Sequence, residues 1–212
     1  MTILRSQMNP HFIFNSLNSI QKYILKNDSF AASQYLTKFS KLIRLILDHS
    51  NQNYILLSSE VELLKLYIEI EALRFDNQFE YELNLDKALN DETIQIPSMI
   101  IQPYIENAIW HGLLHKETKG KLTLDVVRFD ENNIKVLVTD DGVGRQKAQE
   151  LKSKQVLKKK SYGLQITEDR ISILNRTQSS KTTLKIHDLK DENGNPLGTQ
   201  VELIIPIQTI NE

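Results

Sequence analysis

Near the middle of the chain an amide, a carboxylate and an imidazole fall within one helical turn, in Ile101-Gln-Pro-Tyr-Ile-Glu-Asn-Ala-Ile-Trp-His-Gly112. Asn107 and His111 are four residues apart and so share a helix face, with Glu106 one position round. Amide and water oxygens suit Mg2+, which keeps several waters and is commonly held between one protein ligand and nucleotide phosphates. His111 could donate to a phosphate. A second group follows in Ile134-Lys-Val-Leu-Val-Thr-Asp-Asp-Gly-Val-Gly144, an apolar strand that delivers the carboxylate of Asp140 to a turn containing Gly142 and Gly144. An acid fixed where glycines let backbone approach a ligand is consistent with a nucleotide site.

Other chemistries fit less well. A dinucleotide fingerprint would need a third glycine where Lys147 stands, and an acid after the glycines, not before them. No G-x-x-x-x-G-K-S/T string occurs. His111 and His115 have zinc-ligand spacing, but Gly112 occupies the place of the general base in H-E-x-x-H. Cysteine is absent, which excludes disulfides, thiolate metal sites and thiol nucleophiles. With 26 basic and 27 acidic residues, the chain has no overall field to hold a polyanion, so a nucleic-acid partner is not expected. No apolar run approaches the roughly 18 residues of a membrane span.

These groups need elements to position them. All seven glycines lie at or beyond Gly112, whereas residues 1–76 show apolar residues at helical spacing. That shift predicts a helical region over 1–76 and a mixed α/β region over 77–212. Helices are expected through Phe12, Leu17, Ile20 and Ile24, then from Phe30 to His49 after a break at Lys26-Asn27-Asp28-Ser29. A third should be capped at Ser58-Ser59-Glu60, with Leu63, Leu66, Tyr67, Ile70 and Leu73 as its apolar stripe. So many apolar faces on short helices call for a homodimeric bundle.

Beyond them, strands are expected at Phe79–Leu85, Lys121–Arg128, Ile134–Asp140, Thr182–His187 and Thr199–Ile205, with helices at Pro97–Leu114 and Gly163–Asn175. The run Asp191-Glu-Asn-Gly-Asn-Pro-Leu-Gly198 reads as a hairpin turn. The fold class is α+β, a layered sandwich behind a helical region. Five lysines between Lys152 and Lys160 form a charged loop.

Four segments together, Glu106-Asn107-Ala108-x-x-His111, Asp140-x-Gly142-x-Gly144, Ser161-Tyr162-Gly163-Leu164 and Gly198-Thr199-x-Val201, resemble the nucleotide-binding boxes of the GHKL (Bergerat-type) fold shared by DNA gyrase, MutL and histidine kinases. The resemblance implies ATP and Mg2+ as cofactors, with Asn107 holding the metal, Asp140 bonding the adenine amino group and Thr199 supporting Asp140 through water. It implies nucleotide contacts by His111, Gly142, Gly144, Tyr162, Gly163 and Leu164, and a lid that includes the lysine-rich stretch. Trp110 stands where relatives carry a phosphate-contacting lysine, Ser161 replaces a glycine and Ile166 an asparagine.

At the other end, Leu4-Arg-Ser-Gln-Met-Asn-Pro-His-Phe-Ile-Phe-Asn-Ser-Leu-Asn-Ser-Ile20 resembles the phosphoacceptor box of LytS-like sensor histidine kinases, and Leu66-Tyr-Ile-Glu-Ile-Glu-Ala-Leu-Arg-Phe75 matches them too. The implied function is ATP-dependent autophosphorylation of His11, then transfer to an aspartate of a response-regulator protein. Neutral imidazole, with an ordinary pKa near 6.5, has a lone pair for that attack. Phe12 follows where many histidine kinases place an acid, so Glu106 is the candidate base or polariser. The alternative is a nucleotide-binding dimerisation scaffold without catalysis; a GHKL ATPase of the gyrase type ranks third. The family also implies a parent protein anchored in the bacterial inner membrane by a region missing upstream, with this part on the cytoplasmic side.

Overall fold

The computed structural model describes residues 10–89, 91–154, 169, 171–172, 175 and 181–209. Helices α1 (Pro10–Leu25) and α2 (Ser29–Ser50) form an antiparallel hairpin. The polar break is a tight one: Asn27 is left-handed, and the Asp28 side chain accepts from the Ala31 N–H at 2.9 Å as the N-cap of α2. Phe12 is buried and stacks on Phe39 of α2 and on Tyr67, with ring centroids 6.2 and 5.2 Å away. The residue after His11 is therefore a core residue that fixes the rotation of α1 about its axis, which is the physical reason an acid does not stand there.

Strand β1 (Tyr54–Leu56) runs straight into α3 (Leu57–Arg74). The expected Ser58-Ser59-Glu60 cap is not formed: Leu56 is the N-cap, without a side-chain bond, and Glu60 is turned inward and fully buried. Helix α3 is buried on more than one face, because it packs on α1 and α2 and also on β2 (Phe79–Leu85), β3 (Ile94–Pro97) and α4 (Gln102–Asn107). One apolar cluster consequently runs from Phe12 through Leu63 and Ile105 to Ile205. Helix α3 is followed by a turn in which Asp76 and Asn77 are both left-handed.

Five strands, β2 (Phe79–Leu85), β4 (Gly120–Arg128), β5 (Asn133–Asp140), β7 (Pro196–Pro206) and β6 (Thr183–Lys190), lie in the order β2-β4-β5-β7-β6. Only β2 and β4 are parallel. Alternation puts Leu122, Leu124, Val126, Val136, Val138 and Leu203 into the core on one face, as a sheet covered by helices on one side requires. A small second sheet, β1, β3 (Ile94–Pro97) and β8 (Gln208–Thr209), was not expected from the sequence.

The single helix expected over Pro97–Leu114 is replaced by β3, a turn, α4 (Gln102–Asn107), a π-helical turn at Ala108–Gly112 and a 3₁₀ turn at Leu113–His115. A further helix, α5 (Gly144–Lys154), covers a stretch for which no element was expected and reaches into the start of the lysine-rich loop. Tyr162, Gly163, Leu164 and most of the expected Gly163–Asn175 helix lie outside the described residues. Asn175 is within them: its side-chain amide donates to the Thr182 carbonyl and accepts from the Thr182 N–H, fixing the entry to β6.

Candidate nucleotide site

The site forms where β5 ends. Asp140 is its last residue, paired across the sheet with Thr199 of β7, and its carboxylate is almost wholly buried. Oδ1 accepts from the Gly142 N–H at 2.9 Å. Burial pushes the carboxyl up to about 7, further raised by neighbouring Asp141 and partly offset by the N–H groups of Gly142 and Thr199. A buried acid of this kind calls for a donor from a partner.

The glycines have a different use from the one expected. A Cβ on Gly142 would lie 2.3 Å from the Gly112 carbonyl carbon, and one on Gly112 would lie 2.4 Å from Asp140 Oδ1. The Val143 N–H also donates to the Gly112 carbonyl oxygen at 3.3 Å. Gly112 and Gly142 thus let the π-helical turn and the β5–α5 turn close on each other around Asp140. Gly198 does the same from β7: its φ is +129°, and a Cβ there would meet the Asp140 carbonyl oxygen at 1.9 Å. Gly144, with φ +76°, is the glycine of this turn that borders open space and starts α5.

That space is a cavity of about 390 Å³. Asp140, Thr199, Asn107 and His111 all line it, and Tyr104, Val138, Ile186 and Val201 make it mainly apolar. The π-helical turn follows Asn107 directly, and insertions of this kind recur at functional sites. Asn107 Nδ2 donates to the Pro103 carbonyl oxygen, which orients the amide. Among the described residues no three His, Cys, Asp or Glu side chains converge as a metal site. A metal held here by Asn107 would take its other ligands from water and phosphate.

Helix α5 supplies the remaining wall through Arg145, Ala148 and Gln149, residues that the sequence reading missed. Arg145 makes a two-pronged pair with Asp188 of β6 at 2.6 and 2.7 Å, tying α5 to the sheet. The Arg145 guanidinium holds the Asp188 carboxyl below the ordinary carboxylate range.

Glu106 is half-buried and does not line the cavity; it accepts from Gln102 Nε2 at 2.9 Å. Burial pushes its carboxyl up to about 7. Trp110 points towards α3: the Arg74 guanidinium lies 4.4 Å from its ring centroid, and the Phe75 ring meets it edge-on at 5.5 Å. Arg74 in turn pairs with the buried Glu71 at 3.3 Å. Trp110 therefore joins α3 to the helix carrying Asn107. His11 is a residue of α1 and lies apart in sequence from every element of the cavity.

Residues 1–79 match the family described as Histidine kinase. Over 144 residues, 68% of this chain, the sequence is 35% identical to the sensor protein LytS of Oceanobacillus iheyensis. It is 35% identical over 141 residues to the sensor histidine kinase YpdA of Escherichia coli K12, and 29% identical over 144 residues to the sensor histidine kinase/phosphatase LytS of Staphylococcus aureus. In each case the match spans 24% of the relative, so the chain corresponds to about a quarter of their length. The fold is similar to the histidine kinase domain of the blue-light activated histidine kinase of Erythrobacter litoralis, with a TM-score of 0.50 at 12% identity over 93% of this chain and 96% of that one. Over residues 1–79 the chain matches the histidine kinase family, and it is similar to LytS-like sensor kinases over about two-thirds of its length.

Proposed function

We propose that this chain is the autokinase unit of a two-component sensor, which binds Mg-ATP in the Asp140 cavity, phosphorylates His11 and passes the phosphoryl group to a response-regulator aspartate. The observation that carries the proposal is the cavity itself. It brings apolar walls, a buried carboxylate, an amide and an imidazole to one space of about 390 Å³.

In this reading the adenine amino group donates to Asp140, with Thr199 beside it, and the base lies between the apolar walls. Asn107 holds Mg2+, which supplies charge neutralisation on the phosphates, and His111 donates to them. Tyr162, Gly163 and Leu164 complete the nucleotide contacts. Phosphoryl transfer asks mainly for positioning and electrostatic stabilisation, so the chain's task is to bring the His11 ring in line with the terminal phosphate. Glu106, with a carboxyl near neutrality and fixed by Gln102, is suited to accept or polarise the proton lost from the ring.

Incubation with γ-labelled ATP and Mg2+ should yield an acid-labile, alkali-stable phosphoprotein. Glu106→Gln should slow labelling about ten-fold at unchanged Mg-ATP affinity. ATP binding without any label in the parent chain would overturn the kinase reading in favour of a nucleotide-binding scaffold.

The helical hairpin supports a homodimer. Phe14, Leu17, Leu36 and Leu47 stand exposed along α1 and α2, a larger apolar surface than a lone hairpin tolerates. A four-helix arrangement of two hairpins would cover it. Phe14→Glu combined with Leu36→Glu should convert the dimer to a single chain in sedimentation; a parent that sediments as one chain at micromolar concentration would refute the dimer. Among the described residues no helix is long and apolar enough to cross a membrane. The membrane anchor and the sensing of a signal are assigned, by kinship with the sensor proteins above, to the rest of a longer protein. This part would then lie on the cytoplasmic side.

A further inference from the structure

Between β3 and α4 the residues Ser98, Met99, Ile100 and Ile101 are buried, although they belong to neither helix nor strand. Buried backbone of that kind must find hydrogen-bond partners elsewhere. Two come from α3: Glu60, fully buried, accepts from the Met99 N–H through Oε2 at 3.0 Å and from the Ile101 N–H through Oε1 at 3.4 Å. Two more come from the end of α2 and the residues after it. Ser98 Oγ donates to the His49 carbonyl oxygen at 2.8 Å, and the Ser98 N–H donates to the Asn53 carbonyl oxygen at 3.1 Å.

Between the two Glu60 bonds, Met99 holds φ +53°, a left-handed conformation that a residue with a Cβ adopts only at a cost. Such backbone persists when its surroundings over-determine it, and the two-pronged carboxylate does so here. Packing alone would be served better by an apolar side chain, because a buried carboxylate is expensive unless its bonds matter. The next residues are Gln102 to Asn107, the six residues of α4. The turn that Glu60 clamps is therefore the base from which Asn107 projects.

We propose that Glu60 is a positioning residue for the nucleotide site: acting through the Ser98–Ile101 turn, it sets the start of α4 and hence the place of Asn107. The inference rests on the nucleotide reading above. The same turn is also bonded to the end of α2, on which α1 packs, so it links the start of α4 to the helical hairpin as well.

The test compares two ligands. Glu60→Gln keeps the volume but turns one accepting oxygen into a donor facing an N–H group. It should weaken Mg-ATP binding about ten-fold, while adenosine, which reaches Asp140 but not Asn107, should bind within about two-fold of the parent. In an Asn107→Ala background Glu60→Gln should add nothing further, since both act through one contact. Adding Met99→Gly to Glu60→Gln should restore most of the affinity, because glycine takes the left-handed conformation without the clamp. Equal losses for adenosine and Mg-ATP, or losses that multiply with Asn107→Ala, would overturn the assignment. Should Glu60→Gln not fold, Glu60→Asp, which withdraws the charge by one methylene, is held to the same criteria. A parent chain that binds no Mg-ATP would instead sink the nucleotide reading and this inference with it, whereas a parent that binds beside an unaffected Glu60 variant would sink only the inference.

Discussion

Replacing His11 by alanine is expected to abolish phosphoryl incorporation while leaving Mg-ATP affinity within about two-fold of the parent chain, because the proposed nucleophile would have no substitute but is not among the residues lining the proposed nucleotide cavity. The argument has two parts. The cavity is built from α4, the π-helical turn, β5, α5, β6 and β7, and none of its walls comes from α1. What α1 contributes is an anchored helix. Phe12 packs on Phe39 and Tyr67 and so fixes the helix beside position 11. Removing a nucleophile in such an arrangement lowers the rate of the chemical step and spares ground-state binding. His11→Gln should behave like alanine, since an amide can mimic the hydrogen bonds of imidazole but not its nucleophilicity. The readout is acid-labile label per chain beside the calorimetric affinity for Mg-ATP. Equal labelling of parent and variant would place the acceptor elsewhere, and a loss of affinity together with label would mean that α1 shapes the cavity after all.

The parts of this fold that were legible in the sequence are those with strong period. Strand β2 coincides with its expected range, and β4, β5, β6 and β7 differ from theirs by a few terminal residues, because apolar residues recur at alternate positions in each, as at Leu122, Leu124 and Val126 or at Leu184 and Ile186. Strands β1, β3 and β8 are two to four residues long and exist only through distant pairings such as Ile55 with Ile96 and Gln95 with Gln208. No local pattern announces them. Helix α5 was missed for the opposite reason: Gly144-Arg-Gln-Lys-Ala-Gln-Glu-Leu-Lys-Ser-Lys154 has hardly any apolar stripe. Its helix-forming composition was the available signal.

At the site, the motif residues were readable, and the structure brings Asn107, His111, Asp140, Gly144 and Thr199 to one cavity. What motif reading missed is how they are held. Gly142 and Gly198 look like concessions to a ligand, yet they yield space to the chain's own backbone around Asp140. Glu60 looks like an N-terminal charge of a capped helix, yet it is the buried anchor of a neighbouring turn. The clue was its spacing, for Glu60 and Glu71 fall on the same apolar stripe as Leu63, Leu64 and Tyr67, where an acid has to be bonded to be tolerated.

Asp140 carries the other large expected effect. Its carboxyl titrates near 7 in the unliganded fold, against an ordinary value of 3.8, chiefly through burial. The sign follows from which form each state prefers. The folded, unliganded chain holds this proton more tightly than the unfolded chain does, so the contribution of Asp140 to stability is present at low pH and lost as the pH rises through about 7. An adenine amino group donating to the carboxylate favours the ionised form, so nucleotide binding must expel the proton whenever the pH is below that value. Mg-ATP affinity should therefore fall as the pH drops from 8 to 6, by up to about ten-fold per unit at the acid end, with proton release visible as a buffer-dependent heat. Asp140→Asn should lose roughly 10- to 100-fold in affinity at pH 8, the worth of a hydrogen bond to a charged group, and should also lose the pH slope. Comparing the two chains removes the titration of the nucleotide's own phosphates, which is common to both. If Asp140→Asn kept the parent's slope, the titrating group would lie elsewhere; if it kept the parent's affinity as well, the purine would not be read by Asp140 at all.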